Sequence, residues 1–472
     1  MATTATDRQL LIGGDRVETG DWTDVRSPFS GEIVGRVAKG GAAETRRALD
    51  AAERAMRDPL PAHERARILD LTARLLAERQ EEAAQIVCSE AGKPLKAARV
   101  EAQRAVSTYT FSAVEARKLT GETVPMDASV AGEGKLALTL RLPIGIVGAI
   151  SPFNFPLNLV AHKLAPALAA GCAVVLKPAS ATPLAAFFLA ELEEEAGLPP
   201  GWINVVSGAA GEIGDVLIED ERVRLLTFTG SGDVGWGLAE RGHRKRVKLE
   251  LGNATPAIVC ADAPAGTAAK LAANAFSFAG QSCISVQRIF VVESAWDSFV
   301  AEFVPAVEAL HVGDPADGET DVGPVISERE RDRILAWIEE SKGEVLTGGA
   351  ATDDGVIRPT VIAGPAPDDK VQCEEVFGPV VTLTRVASID DAVELANATR
   401  YGLQAAIFTN DLGTSLDAAR RLEFGGVIVN EAPTFRADQM PYGGVKASGN
   451  TREGPAWTVR EMTEERLVVL QA

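Results

Sequence analysis

Apolar residues recur along the chain in two arrangements, as short continuous runs and as longer stretches with helical spacing. Between residues 8 and 40, brief apolar pieces alternate with Gly, Asp and Ser-Pro, which predicts small strands joined by turns. Over residues 42–118, Ala, Glu, Arg and Leu recur at helical spacing, with interruptions at Pro59, Pro61 and residues 92–94. This stretch predicts three successive amphipathic helices.

The middle of the chain alternates continuous apolar strands with helices, which is typical of a parallel sheet covered on both faces. Strands are predicted at 138–141, 144–150, 172–177, 203–206 and 224–228, with helices at 157–170 and 183–197. After residue 250 the pattern repeats, with strands at 257–259 and 288–292 and helices at 266–279 and 295–310. We therefore predict an α/β protein with two parallel-sheet αβ units and a boundary near Leu251.

A last apolar strand is predicted at residues 465–470, well after the second αβ unit. Together with the strand at 138–141, it is expected to form a small sheet outside both units. Because exposed strand edges pair readily, this sheet favours contact between subunits.

Composition narrows the class of protein. At 472 residues the chain is too long for one core and should divide into two or three domains. The net charge of −19 argues against nucleic acid or an anionic membrane surface as a partner. We see neither a signal peptide nor a run of the roughly 18 apolar residues that a membrane span needs, so we expect a cytoplasmic protein.

Five cysteines are spread along the chain without a CxxC pair, so neither a disulfide framework nor a metal site is predicted. Cys172 and Cys260 lie in strand-like apolar runs, whereas Cys283 follows Gly-Gln-Ser between a helical run and the apolar segment 288–292. A thiol on such a helix-to-strand loop can reach a cleft, although free cysteines are most often core residues. The local sequence allows a catalytic and a core role.

A glycine-rich turn follows the predicted strand at 224–228. Residues 230–235 match GxGxxG, in a strand–turn–helix context where glycine amides and a helix N-terminus can cradle a pyrophosphate. Glu250, about twenty residues on, fits the ordinary dinucleotide fingerprint as a ribose ligand. It also stands between Leu249 and Leu251, where partial burial would raise its pKa and make it a base near neutral pH. These two interpretations stay open at this point.

Three further polar residues stand at strand ends or rigid turns. Lys177 ends a buried strand, where parallel sheets bind ligands, or is a solvated strand-end lysine. Asn154 lies between two prolines in residues 152–156, as a turn former or as a fixed donor to a developing oxyanion. Of Glu374 and Glu375, one could hold ribose hydroxyls, or both could belong to a solvated acidic turn.

Together these residues resemble the aldehyde dehydrogenase superfamily, over almost the whole chain. Seven of its motifs occur in the family's order, at residues 152–156, 177–180, 228–231, 249–252, 280–283, 374–379 and 441–446. The resemblance implies an NAD(P)-binding domain at 1–120 and 144–250, a catalytic domain at 251–440, and an oligomerisation sheet at 121–143 and 455–472. It also implies a homodimer or homotetramer.

The resemblance implies a reaction and the residues that perform it. Cys283 would attack an aldehyde carbon, and the Asn154 amide and the Cys283 backbone N–H would hold the oxyanion. Glu250 would be the general base that releases the acid from a thioester, which favours its second interpretation. Lys163 matches a family lysine close to the catalytic centre.

The cofactor implied by the resemblance is NAD or NADP. Lys177 and Ser180 would meet the adenine ribose, and Glu375 the nicotinamide ribose. Ser180 replaces a glutamate found in many strictly NAD-using members, so NADP is permitted. Further cofactor contacts are implied at Phe153, Gly230, Ser231, Leu251, Gly252 and Phe377.

The resemblance places three residues around the substrate entrance, namely Arg436, Arg104 and His162. This set is similar to the branch acting on lactaldehyde, glyceraldehyde 3-phosphate and phosphonoacetaldehyde. Ser282 and Ile284 flank the cysteine and join the predicted substrate site. Phosphate- and phosphonate-using members often carry arginine at the position of Ser282, so we expect a short, hydroxylated or singly charged aldehyde. Arg436 could instead form a structural ion pair with Asp438 or a neighbouring subunit.

Other functions remain possible at this level. The substrate could be succinic semialdehyde or another semialdehyde. A member of another class, a non-catalytic binding protein that keeps this fold, would be favoured by loss of Cys283 or Glu250, and both are present. A cysteine hydrolase would need one of four histidines without a flanking signature, namely His63, His162, His243 or His311.

Overall fold

A computed structural model describes residues 6–471. Its first part, residues 6–143, combines small strands with four helices. The strands are β1 (Thr6–Arg8), β2 (Leu10–Ile12), β3 (Asp15–Val17), β4 (Trp22–Arg26), β5 (Ile33–Ala38), β6 (Thr123–Val124) and β7 (Lys135–Pro143). The helices are α1 (Ala42–Ala55), α2 (Ala62–Glu78), α3 (Gln80–Ala91) and α4 (Leu95–Lys118).

The expectation of three helices over residues 42–118 was wrong, because the chain breaks once more at Arg79. The backbone there (φ −108°, ψ 25°) leaves the helical region, although no Pro or Gly is present. The Arg79 guanidinium donates to Glu82 at 2.7 and 2.9 Å and lies 4.8 Å from the ring centroid of Phe188. A break accompanied by contacts with a distant helix leaves no mark on local residue spacing.

Residues 144–250 supply the first large sheet. Its strands are β8 (Ile146–Ile150), β9 (Val174–Lys177), β10 (Ile203–Val205), β11 (Val223–Thr229) and β12 (Arg246–Glu250), with helices α5 (Asn158–Ala170), α6 (Leu184–Glu195), α7 (Ala210–Glu219) and α8 (Gly232–Arg241). The order β12-β11-β8-β9-β10 is parallel throughout, and antiparallel β2 and β3 extend it. The predicted parallel sheet is confirmed.

The second large sheet begins after residue 250. Its strands are β13 (Thr255–Val259), β14 (Val286–Val292), β15 (Glu344–Thr347), β16 (Thr360–Ala363), β17 (Val380–Val386), β18 (Gln404–Phe408) and β19 (Gly426–Val429). The order is β15-β16-β17-β14-β13-β18-β19, and β15 alone is antiparallel to its neighbour. The helices are α9 (Thr267–Ala275), α10 (Glu293–Glu308), α11 (Glu328–Glu340), α12 (Lys370–Cys373), α13 (Ile389–Asn397), α14 (Leu412–Arg421) and α15 (Pro455–Glu461).

The helix expected at residues 266–279 ends at Ala275, so its predicted length was wrong. Phe278 and Ala279 adopt left-handed backbone conformations (φ 50° and 52°), which end the helical path. Gly280 follows with φ 69°, and a Cβ there would lie 2.1 Å from the carbonyl oxygen of Gly378. This turn leads into the loop that contains Cys283, three residues after Gly280.

The last strand, β20 (Thr463–Gln471), forms a small separate sheet in the order β20-β7-β6, which confirms the predicted pairing. β20 and β7 run antiparallel, from Thr463 opposite Pro143 to Gln471 opposite Lys135. Within residues 6–471, none of the helices combines the length and apolar character required to cross a bilayer.

Helix α5 is buried along its whole length, which is unusual for a helix in a globular domain. It packs against α4 and α15 and contains Asn158, His162 and Lys163 among otherwise apolar residues. A buried polar side chain is costly unless it is hydrogen-bonded, and each of these three has partners in neighbouring segments. Helix α5 therefore carries polar groups into the region behind Cys283.

Candidate active site

The left-handed turn before β14 places Cys283 at the wall of a cavity of about 280 Å³. The predicted substrate residues Ser282 and Ile284 line the same cavity. Other segments complete the wall, with Lys93, Arg104, Phe155, Asn158, Thr434, Arg436 and Tyr442 among their residues. Cys283 is thus not enclosed within an apolar core, in contrast to the buried Cys88, Cys172 and Cys260.

The Cys283 sulfur lies 2.9 Å from the hydroxyl oxygen of Tyr442. Burial raises the pKa of the thiol well above its ordinary value, and the Glu250 charge raises it further. The Tyr442 hydrogen bond and the Arg436 charge act in the opposite direction. The resting sulfur is therefore a protonated thiol with a hydroxyl group beside it.

The Asn154 side chain links the loop after β8 to the cysteine loop. Its Nδ2 donates to the carbonyl oxygen of Gln281 (3.0 Å), and its Oδ1 accepts from the backbone N–H of Phe155 (3.1 Å). An amide nitrogen has two hydrogens, and the second finds no acceptor in the described chain. Within residues 6–471, the backbone N–H of Cys283 likewise has no acceptor.

Glu250 ends β12 and is 2% exposed. Its Oε1 is buried without a hydrogen-bond partner in the described part of the chain. Burial raises the pKa of this carboxyl well above its ordinary range, and the Glu453 charge raises it further. The Glu250 charge also raises the pKa of the Cys283 thiol, and this influence on the nucleophile fits a base better than a ribose ligand.

A buried network of charges stands behind Glu250. Lys163 Nζ donates to the hydroxyls of Thr227 (3.1 Å) and Thr229 (2.8 Å) and lies 3.9 Å from a Glu453 oxygen. Arg436 Nη2 donates to the other Glu453 oxygen at 2.9 Å. The alternative expectation that Arg436 pairs with Asp438 was therefore wrong, because Glu453 occupies that guanidinium edge. Burial opposes the ionisation of Glu453, but the charges of Arg436 and Lys163 lower its pKa.

Asp438 pairs instead with Arg104 and His162. Arg104 donates to both carboxylate oxygens at 3.0 and 3.3 Å, and His162 Nε2 lies 3.0 Å from Oδ1. Burial opposes the ionisation of Asp438, but these two partners lower its pKa. The Arg104 side chain is 21% exposed and lines the cavity, whereas that of His162 is fully buried. His162 thus lies behind the wall rather than at the entrance, because its ring is used in this network.

The predicted ribose residues Lys177 and Ser180 lie at the carboxyl end of β9. Lys177 Nζ donates to the Pro178 carbonyl oxygen (3.0 Å) and to Ser180 Oγ (3.3 Å). No carboxylate pairs with it among residues 6–471, and burial lowers its pKa to about 8. An ammonium group without a counter-charge is suited to bind the oxygens of a ligand.

Glu375 and Gly252 face each other from different segments. Glu375 Oε1 accepts from the Asn253 N–H at 2.9 Å, while Oε2 has no donor within the described range. Burial raises the pKa of this carboxyl to about 7. A Cβ at Gly252 would lie 2.3 Å from Oε2, so only glycine leaves this approach open. Phe377, two residues after Glu375, meets Phe153 edge to face, with ring centroids 5.7 Å apart.

The glycine-rich motif opens α8, with Ser231 at the N-cap position. The Gly230 N–H donates to the Glu250 carbonyl oxygen (3.2 Å), which ties the turn to the end of β12. A Cβ at Gly235 would lie 2.5 Å from a Leu251 methyl carbon, so this glycine allows close packing of the helix on Leu251. The motif thus positions a helix N-terminus beside the strand that carries Glu250.

Comparison with known proteins identifies the family. The sequence model of the aldehyde dehydrogenase family matches residues 16–468, so the chain belongs to this family. The chain is 42% identical over 464 residues to 3-sulfolactaldehyde dehydrogenase of Priestia aryabhattai, covering 98% of this chain and 97% of that protein. It is 39% identical to lactaldehyde dehydrogenase of Methanocaldococcus jannaschii, covering 98% and 100%.

A solved structure agrees with these sequences. Glyceraldehyde-3-phosphate dehydrogenase GapN from Methanocaldococcus jannaschii, in complex with NADP, superposes with a TM-score of 0.91 at 38% identity. The alignment covers 95% of this chain and 99% of that one. The protein is therefore an NAD(P)-dependent aldehyde dehydrogenase.

Three groups that contact Cys283 or the predicted substrate residues were not predicted as site residues, namely Tyr442, Glu453 and Asp438. Tyr442 lies in the motif at 441–446, which supports the family resemblance but gives this residue no role. Glu453 and Asp438 lie more than a hundred residues after Cys283 in the sequence, and only the folded chain brings them to Arg436 and His162. A carboxylate without an apolar neighbour pattern gives no local signal of burial.

Proposed function

We propose that this aldehyde dehydrogenase oxidises short 2-hydroxylated aldehydes to their acids through a thioester on Cys283. The observation that carries the proposal is a Cys283 thiol at the cavity wall whose pKa is raised by the charge of Glu250, a buried carboxylate with no hydrogen-bond partner for its Oε1 in the described chain. A nucleophile and a base are the two groups that acyl transfer through sulfur requires.

In the first step, the Cys283 thiol loses its proton to solvent, the thiolate adds to the carbonyl carbon of the aldehyde, and the carbonyl oxygen becomes an oxyanion. The second Asn154 amide hydrogen and the Cys283 backbone N–H have no acceptors in the described chain, so both are available to this oxygen. Donors that are already positioned stabilise developing charge without reorganisation.

The residues present fit an NAD(P) cofactor, since Lys177 lacks a carboxylate partner and Glu375 Oε2 lacks a donor within residues 6–471. Lys177 and Ser180 would hold one ribose, and Glu375 the other. When bound, NAD(P) supplies the hydride acceptor that converts the thiohemiacetal into a thioester. Ser180 is neutral, so a 2′-phosphate meets no carboxylate at that position.

The last step is hydrolysis, in which Glu250 removes a proton from a water molecule that attacks the thioester carbon. The carboxylate form is the reactive one, and its raised pKa makes it a stronger base than an exposed glutamate. Collapse of the tetrahedral adduct then breaks the carbon–sulfur bond and releases the acid, and the proton held by Glu250 passes through solvent to the Cys283 sulfur, which regenerates the thiol and the carboxylate.

The proposed substrate class rests on the size and charge of the cavity. A volume of about 280 Å³ suits a small aldehyde. Arg104 lines the cavity with a partly exposed guanidinium group, and Ser282 beside the cysteine is uncharged. These features support a hydroxylated aldehyde whose far end is neutral or carries one negative charge, such as lactaldehyde or 3-sulfolactaldehyde.

The test follows the absorbance of reduced nicotinamide with NAD or NADP against lactaldehyde, glyceraldehyde, succinic semialdehyde and propanal. We expect lactaldehyde and glyceraldehyde to have the highest kcat/KM, and Cys283→Ala to abolish the signal with every aldehyde. A higher kcat/KM for succinic semialdehyde would replace the proposed substrate class by the semialdehydes. Full activity of the Cys283→Ala variant would refute the mechanism.

A further inference from the structure

We infer that the Tyr442 hydroxyl selects 2-hydroxyaldehydes, by exchanging its hydrogen bond with the Cys283 sulfur for one with the substrate's 2-hydroxyl oxygen. The inference rests on the proposed function, because it concerns the same cysteine adduct. It assigns Tyr442 a role as a specificity-determining residue.

The geometry around Tyr442 leaves its hydroxyl a single partner. The oxygen lies 2.9 Å from the Cys283 sulfur, and no other hydrogen-bond partner of the hydroxyl is found in residues 6–471. Tyr442 is 2% exposed and forms part of the cavity wall beside the cysteine. A hydroxyl in this position faces the place where the substrate's first carbon atoms must sit.

The hydroxyl remains a hydrogen-bond donor in the resting enzyme. Burial raises the pKa of Tyr442 well above its ordinary value, and the negative charges that Cys283 and Glu250 can carry raise it further. The ring is also held in place, because the Arg436 guanidinium carbon lies 3.8 Å from the ring centroid and Arg436 is itself fixed by Glu453. The donor is therefore both protonated and fixed in direction.

Addition of the sulfur to the aldehyde changes what this donor meets. The thiolate that forms before the attack is a charged acceptor, whereas a sulfur bonded to two carbons is a weak one, so the hydrogen bond from Tyr442 loses most of its strength in the adduct. In the adduct of a 2-hydroxyaldehyde, the 2-hydroxyl oxygen is three bonds from that sulfur. This oxygen can therefore reach a donor placed beside the sulfur, while an aldehyde without it leaves the buried Tyr442 hydroxyl without an acceptor.

Two other polar groups of the cavity wall are already engaged with neighbouring side chains. Thr434 Oγ1 donates to Asn274 Oδ1 at 2.8 Å, and Lys93 pairs with Glu101. The Tyr442 hydroxyl differs because its only partner is the atom that changes chemically during the reaction. We expect it to discriminate between substrates at the second carbon.

The experiment compares kcat/KM for lactaldehyde and propanal, which differ only in the 2-hydroxyl group, in the wild-type enzyme and in Tyr442→Phe. In the variant, the ratio of lactaldehyde to propanal should fall about tenfold, the loss expected for one hydrogen bond in a buried site. Thr434→Val removes a different hydroxyl from the same wall, one already bonded to Asn274, and should leave the ratio unchanged. The pH profile of Cys283 alkylation by iodoacetamide should shift upward in Tyr442→Phe only.

The possible outcomes distinguish a failure of the proposed function from a failure of the role assigned to Tyr442. No reduction of cofactor by the wild-type enzyme with either aldehyde would refute the proposed function itself. Oxidation with an unchanged ratio in Tyr442→Phe would refute the role of Tyr442 and leave the function standing. A wild-type series needs no variant: 3-hydroxypropanal should be no better than propanal, and equal activity on 2- and 3-hydroxypropanal would overturn the inference.

Discussion

Replacing Glu250 by Gln separates the two halves of the proposed reaction. The substitution preserves size and removes the charge of a carboxyl group that is 2% exposed. Its Oε1 makes no hydrogen bond within residues 6–471, so no such bond to that oxygen is lost. The repulsion between Glu250 and Glu453 is also relieved, so we expect no loss of thermal stability.

The structure gives opposite expectations for the two steps. A general base accelerates a reaction by about 10²–10⁴-fold, so hydrolysis of the thioester should slow by this factor, or about 3–5 kcal/mol of activation free energy. The first step should not slow, because the Glu250 charge raises the pKa of the Cys283 thiol and its removal makes the thiolate easier to form. The thioester should therefore accumulate.

Rapid mixing with NAD(P) and lactaldehyde should show this directly. We expect a burst of about one reduced cofactor per subunit, followed by a steady rate at least a hundredfold below that of the wild type. Mass spectrometry should find the acyl group on Cys283. In the wild type the steady rate should rise with pH at values above those at which an exposed glutamate titrates, because burial raises the pKa of Glu250 and the carboxylate is the active form.

The matched control is Glu461→Gln, the same chemical change at a carboxylate that bonds Lys248 and Thr451 away from the cavity. It should keep the wild-type steady rate. If burst and steady rate fell together in Glu250→Gln, Glu250 would act before the thioester forms. If the steady rate were unchanged, Glu250 would not be the base, and the ribose-ligand interpretation would return.

Three further predictions concern stability, cofactor binding and assembly. Glu101→Gln leaves the buried Lys93 ammonium without its counter-charge and should lower the unfolding free energy, measured in urea, by about 3–5 kcal/mol. Adding Lys93→Met should recover most of this loss. A loss below about 1 kcal/mol in Glu101→Gln would contradict the prediction. Lys177→Met should raise the KM for NAD(P) about tenfold with little change in kcat. In the wild type this KM should rise above pH 8, where Lys177 loses its proton. An unchanged KM in the variant would exclude Lys177 from the cofactor site. Leu467→Lys on exposed β20 should reduce the oligomer measured by light scattering, whereas Leu412→Lys on α14 should not, and equal behaviour of both would refute assembly through the small sheet.

The sheets and the order of their elements could be predicted because continuous apolar strands alternating with helices leave a direct record in the sequence. The pairing of the late strand with the strand before residue 144 was also predictable, since both lie outside the αβ pattern. The break at Arg79 and the left-handed turn at Phe278 were not, because neither depends on Pro or on a residue that favours that conformation. Each is set by packing against distant segments.

The residues of the candidate site also differ in how far the sequence indicates them. Cys283, Glu250, Asn154 and Lys177 could be singled out as candidates because each stands in a distinctive local motif. The partners of the polar groups were not, and Arg436 shows why. Asp438 is two residues away in sequence, but the guanidinium pairs with Glu453, which is reached only after the chain has passed through Tyr442 and returned. Sequence spacing gives candidates for chemistry, whereas the neutralisation of buried charges is a property of the fold.

That neutralisation bears on which aldehydes the cavity accepts. Three cations line it, and each is matched by a carboxylate: Lys93 by Glu101, Arg104 by Asp438, and Arg436 by Glu453. A substrate with two negative charges would have to lose its water shell and find cationic charge that these carboxylates have not already balanced. A neutral hydroxylated aldehyde meets no such cost, and one negative charge can still approach the partly exposed edge of Arg104. The three ion pairs thus contribute little to the binding of dianions. They instead rigidify the cavity wall, which keeps the thiol, the base and the Tyr442 hydroxyl in fixed relative positions.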